Sequence, residues 1–399
     1  MDVLLLGVGM QGRTALDDLV KSDAVEKVIA ADMDIGGLRS LVGKSGYGGK
    51  VVCEPLNASD PVSLGRLMAS GPDVAIDLLP VRFIVTVAEA AIEHGVDLVN
   101  TFYVPDRLRA LARAAEDKPV AILPEFGMDP GIDLVLMGET VRSMERVTDL
   151  LSYGGGIPAP EAADNPIRYK ISWTFEGVLE SYCREGRVIR EGEVVEIGPR
   201  EQFVSENVHV VQIGDFGPME AIVNGDGVAY VTELGLDPSS IRNAGRYSLR
   251  WPGHRAFWDA AVRLHLMDDE PVLVDGRAVD RRAYLAAALA EHLQYTEGER
   301  DMAIIRVVVA GIRGGQRVRV THDVVDLRDL DTGFMAMSRL VGFTASLGAH
   351  MLGSGMIEKR GLLSPIHDVP CAYFLAELAR KGVHVETKEE IMGDRTHAI

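Results

Sequence analysis

Near its amino end the chain reads Gly7-Val8-Gly9-Met10-Gln11-Gly12, directly after the apolar run Val3–Leu6. A glycine-rich turn between a strand and a helix is suited to one kind of chemistry, the gripping of phosphate. Gly7 permits the tight turn, Gly9 lets the backbone approach a pyrophosphate, and Gly12 lets helix and strand pack closely. The stretch opens the first helix, whose N-terminus, with Met10 and Gln11 among the candidate cofactor contacts, offers unpaired N–H groups and a positive dipole end to the anion. Asp32 closes the next β-type run, Val28–Ala31, some 20 residues beyond Gly12. A carboxylate there accepts hydrogen bonds from both ribose hydroxyls and repels a 2′-phosphate, so the spacing predicts NAD and disfavours NADP. Asn57-Ala58 and Leu79-Pro80 follow the third and fourth β-type runs. They read either as cofactor contacts at the carboxyl ends of strands or as ordinary strand-terminating loops.

These groups need a scaffold, and the periodicity of residues 1–125 supplies one. Val3–Leu6, Val28–Ala31, Val51–Cys53, Val74–Leu78, Leu98–Asn100 and Val120–Leu123 read as buried strands. Between them lie amphipathic helical patterns such as Arg13–Val20, Val85–Ile92 and Leu108–Ala115. The alternation specifies an α/β fold, a doubly wound parallel sheet of the Rossmann kind. Past Pro130 the pattern changes. Tyr169–Phe175, His209–Ile213 and Met302–Ile312 read as strands, and two hairpins are legible. One pairs Arg187–Ile189 with Val194–Ile197; the other pairs Met302–Ile312 with Gln316–Val325 and turns at Gly314-Gly315. Helical patterns near Glu176–Tyr182, His254–Leu266 and Arg282–His292 complete a second, α+β domain with a mostly antiparallel sheet, expected over 126–330. Residues 331–399 read as a helical segment packing back on the first domain, with a strand-like piece at Val383–Glu386.

Composition narrows the function classes. A chain of 399 residues exceeds one ordinary core, and 47% hydrophobic with 25% charged residues is a globular balance. A formal net charge of -18 argues against nucleic acid and against an anionic membrane surface. Met1–Gly7 carries no basic region of a secretory signal, and Cys53, Cys183 and Cys371 are odd in number and far apart. The expectation is a cytoplasmic protein without disulfides. The ten histidines show no ligand-like spacing, so no metal site is expected.

Three longer stretches resemble a known family. Leu123-Pro124-Glu125-Phe126-Gly127-Met128-Asp129-Pro130-Gly131-Ile132-Asp133 looks like the crossover motif of the saccharopine dehydrogenase family. Ser152–Glu161 and Asn165–Trp173 look like its substrate-domain signature. Within the family, Arg187–Gly192, Phe216–Ala221 and Leu249–His254 are similar to the lysine 6-dehydrogenase branch. Gly154 stands where saccharopine-forming reductases carry cysteine, whereas Asp129 matches those reductases. The resemblance implies an NAD-dependent oxidoreductase acting on the CH–NH group of an amino acid, with the lysine ε-amine as first substrate. A reductase that condenses an aldehyde with an amino acid is the alternative, and a non-catalytic NAD-binding module is a third reading. The resemblance also implies a homodimer.

Amine oxidation requires a neutral amine, a C–H aimed at the nicotinamide and a water to attack the iminium. Arg250 is the first candidate for a carboxylate clamp, because a guanidinium fork binds both oxygens; an ion-paired surface arginine is the other reading. Lys170, between Tyr169 and Trp173, reads as a carboxylate ligand, as an acid–base group if desolvation lowers its pKa, or as the exposed face of a strand. Asp129 reads as a proton acceptor for the substrate ammonium, or as a helix N-cap with Pro130 at the first helical position. Glu125 is a second acidic candidate. His254 has a pKa near neutrality and reads as a proton-transfer group. Tyr169 and Trp173 are candidates to wall the pocket, though core packing would also explain them.

Overall fold

The computed structural model describes residues 1–393. It forms two compact units, each assembled from two stretches of chain: Met1–Gly138 with Ser338–His384, and Glu139–Met337 with the segment from Val385 onward. The boundaries expected at 125 and 330 therefore fall later. Gly138 still belongs to the first unit, where it lies so close to the Ile366 carbonyl that a Cβ would collide with it. The last six residues of the expected C-terminal segment lie outside the described residues.

The first unit is built on β1 (Asp2–Leu6), β2 (Lys27–Asp32), β3 (Val51–Pro55), β4 (Val74–Asp77), β5 (Asp97–Asn100) and β6 (Ala121–Leu123). All pair in parallel, in the order β6-β5-β4-β1-β2-β3, and the short strand Gly361–Leu362 extends the sheet beyond β6. The interior strands are apolar because both faces are covered. Leu4, Leu6, Ala75 and Leu98 are fully buried, each leucine contributing on the order of 1.5–3 kcal/mol. Register brings Leu6, Ala31, Asp77 and Asn100 level, so the carboxyl ends of four strands form one edge.

The expected return of the tail takes place in this unit. Helix Ala336–Gly353 packs on helix Met10–Lys21 so tightly that a Cβ at Gly342 would sit 2.8 Å from Ala15 N. Phe374 meets Phe126 at 5.2 Å between ring centres. The strand expected at Val383–Glu386 lies slightly later, at Glu386–Ile391, and belongs to the second unit. The proposed cap at Asp129 is not formed. Helix Ile132–Arg142 begins two residues past Pro130, and Gly131 N donates instead to Asp133 Oδ1 at 2.9 Å.

The second unit carries β7 (Arg146–Pro158), β8 (Gly186–Arg190), β9 (Glu193–Ile197), β10 (Val208–Ile213), β11 (Gly217–Val223), β12 (Asn243–Arg250), β13 (Val272–Val274), β14 (Arg277–Val279), β15 (Asp301–Arg313) and β16 (Gln316–Leu327). Its main sheet runs β10-β11-β12-β7-β15-β16 and ends on Glu386–Ile391, with β8–β9 joined to β12. All pairs are antiparallel except β12 with β7. Both predicted hairpins form, the second closing through Gly314 and Gly315 at φ 58 and 71, as a primed turn requires.

One predicted strand does not form. Between Asn165 and Trp173 the backbone is irregular: the Asn165 side chain brackets Tyr169, and Arg168 takes a left-handed φ of 49. Local side-chain hydrogen bonds of this kind compete with a sheet ladder. Among the described residues no helix is long and apolar enough to cross a membrane.

Candidate active site

In the first unit the carboxyl edge of the sheet gathers the predicted phosphate-binding parts. Gly7 turns at φ 88, and a Cβ there would lie 2.9 Å from the Leu78 carbonyl oxygen. A Cβ at Gly12 would run into the Gly7 carbonyl, whereas one at Gly9 would meet nothing within 4 Å. The loop is thus tight at both ends and open in the middle. Gly9 is also the N-cap of helix Met10–Lys21, with no side-chain cap and no acid in the first turn. Uncapped N–H groups and a positive dipole end stand beside the opening, and these residues fit a pyrophosphate.

Asp32 is fixed beside this loop. Its Oδ2 accepts from Val8 N at 2.7 Å and its Oδ1 from Asp34 N at 2.9 Å. Leu56 N donates to the Asp32 carbonyl at 3.0 Å, which draws Asn57-Ala58 alongside. Asn57 is exposed and shapes its own turn, accepting from Ser59 N at 3.1 Å. The Leu79 side chain reaches within 3.3 Å of a Cβ built on Gly7, while Pro80 is exposed at the rim of the same loop. Met10 is exposed, and Gln11 Oε1 accepts from Ser338 Oγ at 3.0 Å. Ser338 comes from the returning helix, and no sequence spacing links it to the loop.

Asp77, at the end of β4, was not anticipated from sequence. It is 1% exposed and accepts from Leu79 N at 3.0 Å. Burial pushes its carboxyl up to about 7, against that backbone hydrogen bond. Its register partner Asn100 is fully buried, and Asn100 Nδ2 has no hydrogen-bond partner among the described residues. Two acidic candidates also belong to this unit. Glu125 is buried just past β6 with φ 54, and Asp129 is half-buried between Gly127 and Gly131.

The second unit brings Arg250, Tyr169 and His254 together through a residue that sequence reading missed, Tyr182. Arg250 ends β12 and is 6% exposed. Its Nε donates to Tyr182 Oη at 2.9 Å and its Nη1 to the Leu249 carbonyl at 2.8 Å. The guanidinium lies over the Tyr169 and Tyr182 rings at 5.4 and 5.7 Å. Among the described residues no carboxylate pairs with it, which is unusual for a buried cation. The reading of Arg250 as a surface ion pair is therefore excluded.

His254 is fully buried. Nδ1 faces the Ile167 carbonyl at 2.8 Å and Nε2 faces Tyr182 Oη at 2.7 Å. A carbonyl only accepts, so Nδ1 carries the proton, Nε2 accepts, and the Tyr182 hydroxyl donates to it. Burial, reinforced by the Arg250 charge, pulls the ring down to about 3. The near-neutral proton-transfer role expected of His254 is not what this environment gives. The ring is a neutral positioning group that aims Tyr182 at Arg250.

Lys170 also differs from expectation. It is neither an exposed strand residue nor a lysine of lowered pKa. It is 5% exposed and bonds Glu299 at 2.5 Å and Asp164 at 3.2 Å. Burial alone would depress the ammonium, but the hydrogen bonds and charges of those two carboxylates more than reverse it and hold it above the ordinary lysine range. It stays an ammonium. Tyr169 is fully buried, and Trp173 packs half-buried against the same cluster. Among the described residues no group of His, Cys, Asp and Glu side chains could hold a metal ion.

Family models match nearly the whole chain. Residues 3–123 match the family model described as "Saccharopine dehydrogenase NADP binding domain", and residues 127–383 match "Saccharopine dehydrogenase C-terminal domain". The chain belongs to the saccharopine dehydrogenase family.

Members of that family of amino-acid dehydrogenases are similar at modest identity. The "Alpha-aminoadipic semialdehyde synthase, mitochondrial" of Bos taurus is 27% identical over 98% of the chain, which spans about half of that relative, 48%. The "Saccharopine dehydrogenase [NADP(+), L-glutamate-forming]" of Pyricularia oryzae is 25% identical over 98% of this chain and 99% of its own. The apo saccharopine dehydrogenase (L-Glu forming) of Saccharomyces cerevisiae has the same fold, with TM-score 0.84, 23% identity and coverage of 98% and 99%. The fold predicted from sequence is that of this family, and a nicotinamide dinucleotide is the cofactor its first unit is shaped to hold.

Proposed function

We propose that the protein is a nicotinamide-dinucleotide-dependent dehydrogenase acting on the C–N bond of an amino acid, with a saccharopine-type secondary amine as substrate. The observation that carries this reading is Arg250, a buried guanidinium that no acid neutralises among the described residues and that Tyr182 and His254 hold in one orientation. A site built to keep such a cation is built for a carboxylate. The bound dinucleotide would accept the hydride from the carbon beside the nitrogen. Water would then add to the resulting C=N bond and release an aldehyde and a free amine. The relatives named L-glutamate-forming are named for that amine. In this scheme Arg250 fixes the substrate through its carboxylate and Lys170 remains a fixed positive charge.

A second reading, oxidation of the lysine ε-amine, takes Arg250 alone as the clamp: one buried guanidinium with no acidic partner among the described residues suits a substrate with one carboxylate. Purified protein should be given saccharopine or L-lysine with either dinucleotide, and reduced nicotinamide followed by absorbance. Turnover of saccharopine supports the first reading and turnover of lysine alone the second. Turnover of neither removes both.

Of the two cofactors we propose NAD. The family model and several relatives carry NADP in their names; what supports NAD here is Asp32 at the end of β2, fixed beside the glycine loop, since a carboxylate at that point of the motif would repel a 2′-phosphate. Calorimetric titration with each dinucleotide tests it. The same reading includes a homodimer in a reducing, cytoplasmic setting, in line with three free cysteines; light scattering tests the first of these.

A further inference from the structure

Two dipeptides of the second unit exchange cations. Arg250 lies over the ring of Tyr169 at 5.4 Å, and Arg168 lies over the ring of Trp251 at 5.2 Å. Each guanidinium thus rests on the residue next in sequence to the other arginine. Among the described residues neither arginine has an acidic partner, and the half-buried Arg168 commits none of its side-chain N–H groups to a hydrogen bond. Stacking on an aromatic face occupies the π surface of a guanidinium. It leaves the in-plane N–H edges, which bind carboxylates, to other partners. At Arg168 none is committed among the described residues. At Arg250, Nε and Nη1 donate to Tyr182 and the Leu249 carbonyl, while Nη2 makes no hydrogen bond to a described residue.

The backbone shows that Arg168 is held in place. Its φ of 49 lies in the left-handed region, which side chains larger than glycine rarely enter. The surroundings enforce it. Arg168 N donates to the Asn165 carbonyl at 3.0 Å, and Asn165 Nδ2 donates to the Tyr169 carbonyl at 2.6 Å. His254 Nδ1 donates to the Ile167 carbonyl, so this turn is tied to the group that orients Tyr182 and Arg250. A costly conformation that is over-determined by its neighbours and presents an unneutralised cation is characteristic of ligand sites.

We propose that Arg168 is a second carboxylate clamp, which sets specificity for substrates whose amine carries a dicarboxylic arm. The inference rests on the reading that the second unit binds an amino acid. It names the class within that reading: Arg250 takes the carboxylate common to all candidates, and Arg168 takes one found only on a glutamate-like arm. L-Lysine offers nothing to Arg168.

The test is calorimetric titration of the full chain with L-glutamate and, separately, with L-lysine. Arg168→Gln removes the charge, and Arg168→Gly removes the side chain while relieving the left-handed backbone, so a folding defect in the first does not obscure the result. Both variants should bind L-glutamate roughly tenfold or more weakly than wild type and L-lysine equally well. With saccharopine, KM should rise and kcat hold. Unchanged L-glutamate affinity, or a parallel loss for both amino acids, overturns the assignment of Arg168 while leaving the dehydrogenase reading intact. Wild-type protein that binds neither amino acid and turns over no saccharopine overturns both.

Discussion

Arg250 Nε donates to the Tyr182 hydroxyl at 2.9 Å in the interior of the second unit, and these residues stand 68 positions apart in the chain. Tyr182 can accept that bond and still donate to His254 Nε2, so the three residues form a one-way chain of donors ending at a backbone carbonyl. Tyr182→Phe leaves a buried, charged Nε–H without its acceptor. The variant should lose about 1–3 kcal/mol in denaturant melts and show a raised KM for the amino-acid substrate. A melt and a KM both equal to wild type would mean that the hydroxyl orients nothing.

Arg250→Lys keeps a positive charge at the end of β12 but loses the fork. A lysine there binds one carboxylate oxygen as a point charge and cannot reach Tyr182 with the same geometry. KM for the substrate should rise tenfold or more with kcat little changed, since the proposed contact would be made in ground and transition states alike. Steady-state kinetics measures both. A KM within twofold of wild type would clear Arg250 of the clamp role.

The fold was more legible than the site. Periodicity placed all six early strands, five of them because buried parallel strands are apolar runs; β3, expected to be buried, lies at the sheet edge with no buried residue. The Gly314-Gly315 turn announced its hairpin. Arg250 and the glycine loop were found because their chemistry is local. Tyr182, Glu299 and Ser338 were not, because each acts on a partner far away in sequence and carries no spacing signal of its own. The alternation of Tyr169–Phe175 misled in the opposite direction. An asparagine bracket overrode it, and Lys170, for which an exposed strand face was one of three readings, is buried and paired with two acids.

Asp32→Ala should change cofactor choice. The carboxylate is held by Val8 N and Asp34 N; on the proposed NAD reading, its removal takes away both the ribose acceptor and the charge that would repel a 2′-phosphate. NAD should bind more weakly and the preference over NADP should narrow or invert, as read by calorimetry. Equal losses for the two dinucleotides would assign Asp32 to loop structure alone.

His254 should make the protein sensitive to acid. The ring is neutral when folded, with its value pulled down to about 3, and it regains the ordinary value of 6.5 on unfolding. The unfolded chain therefore binds the extra proton below 6.5. The stability this residue contributes is fully present above that pH and is lost as pH falls toward 3. Denaturant melts between pH 7 and pH 4 should steepen this loss in wild type relative to His254→Gln. Parallel curves would show that other groups carry the acid limb.

Asp77 acts in the opposite sense. Its carboxyl is raised from 3.8 to about 7 in the folded chain because β4 buries it beside Asn100, with one backbone N–H as partial compensation. The folded state keeps its proton where the unfolded state has released it. The stability attached to the neutral acid is complete below about pH 4 and declines as pH rises through 7. Asn in its place keeps an oxygen for Leu79 N and cannot ionise. Asp77→Asn should match wild type near pH 4 and exceed it at pH 8, by up to roughly 4 kcal/mol from a shift of about three units. Because Asp77 sits on the edge where the glycine loop meets Leu78 and Leu79, the variant should also flatten any fall in dinucleotide affinity between pH 6 and pH 8. Melts and titrations across that range decide it; a variant less stable than wild type at pH 8 would show that the buried carboxylate has a stabilising partner after all.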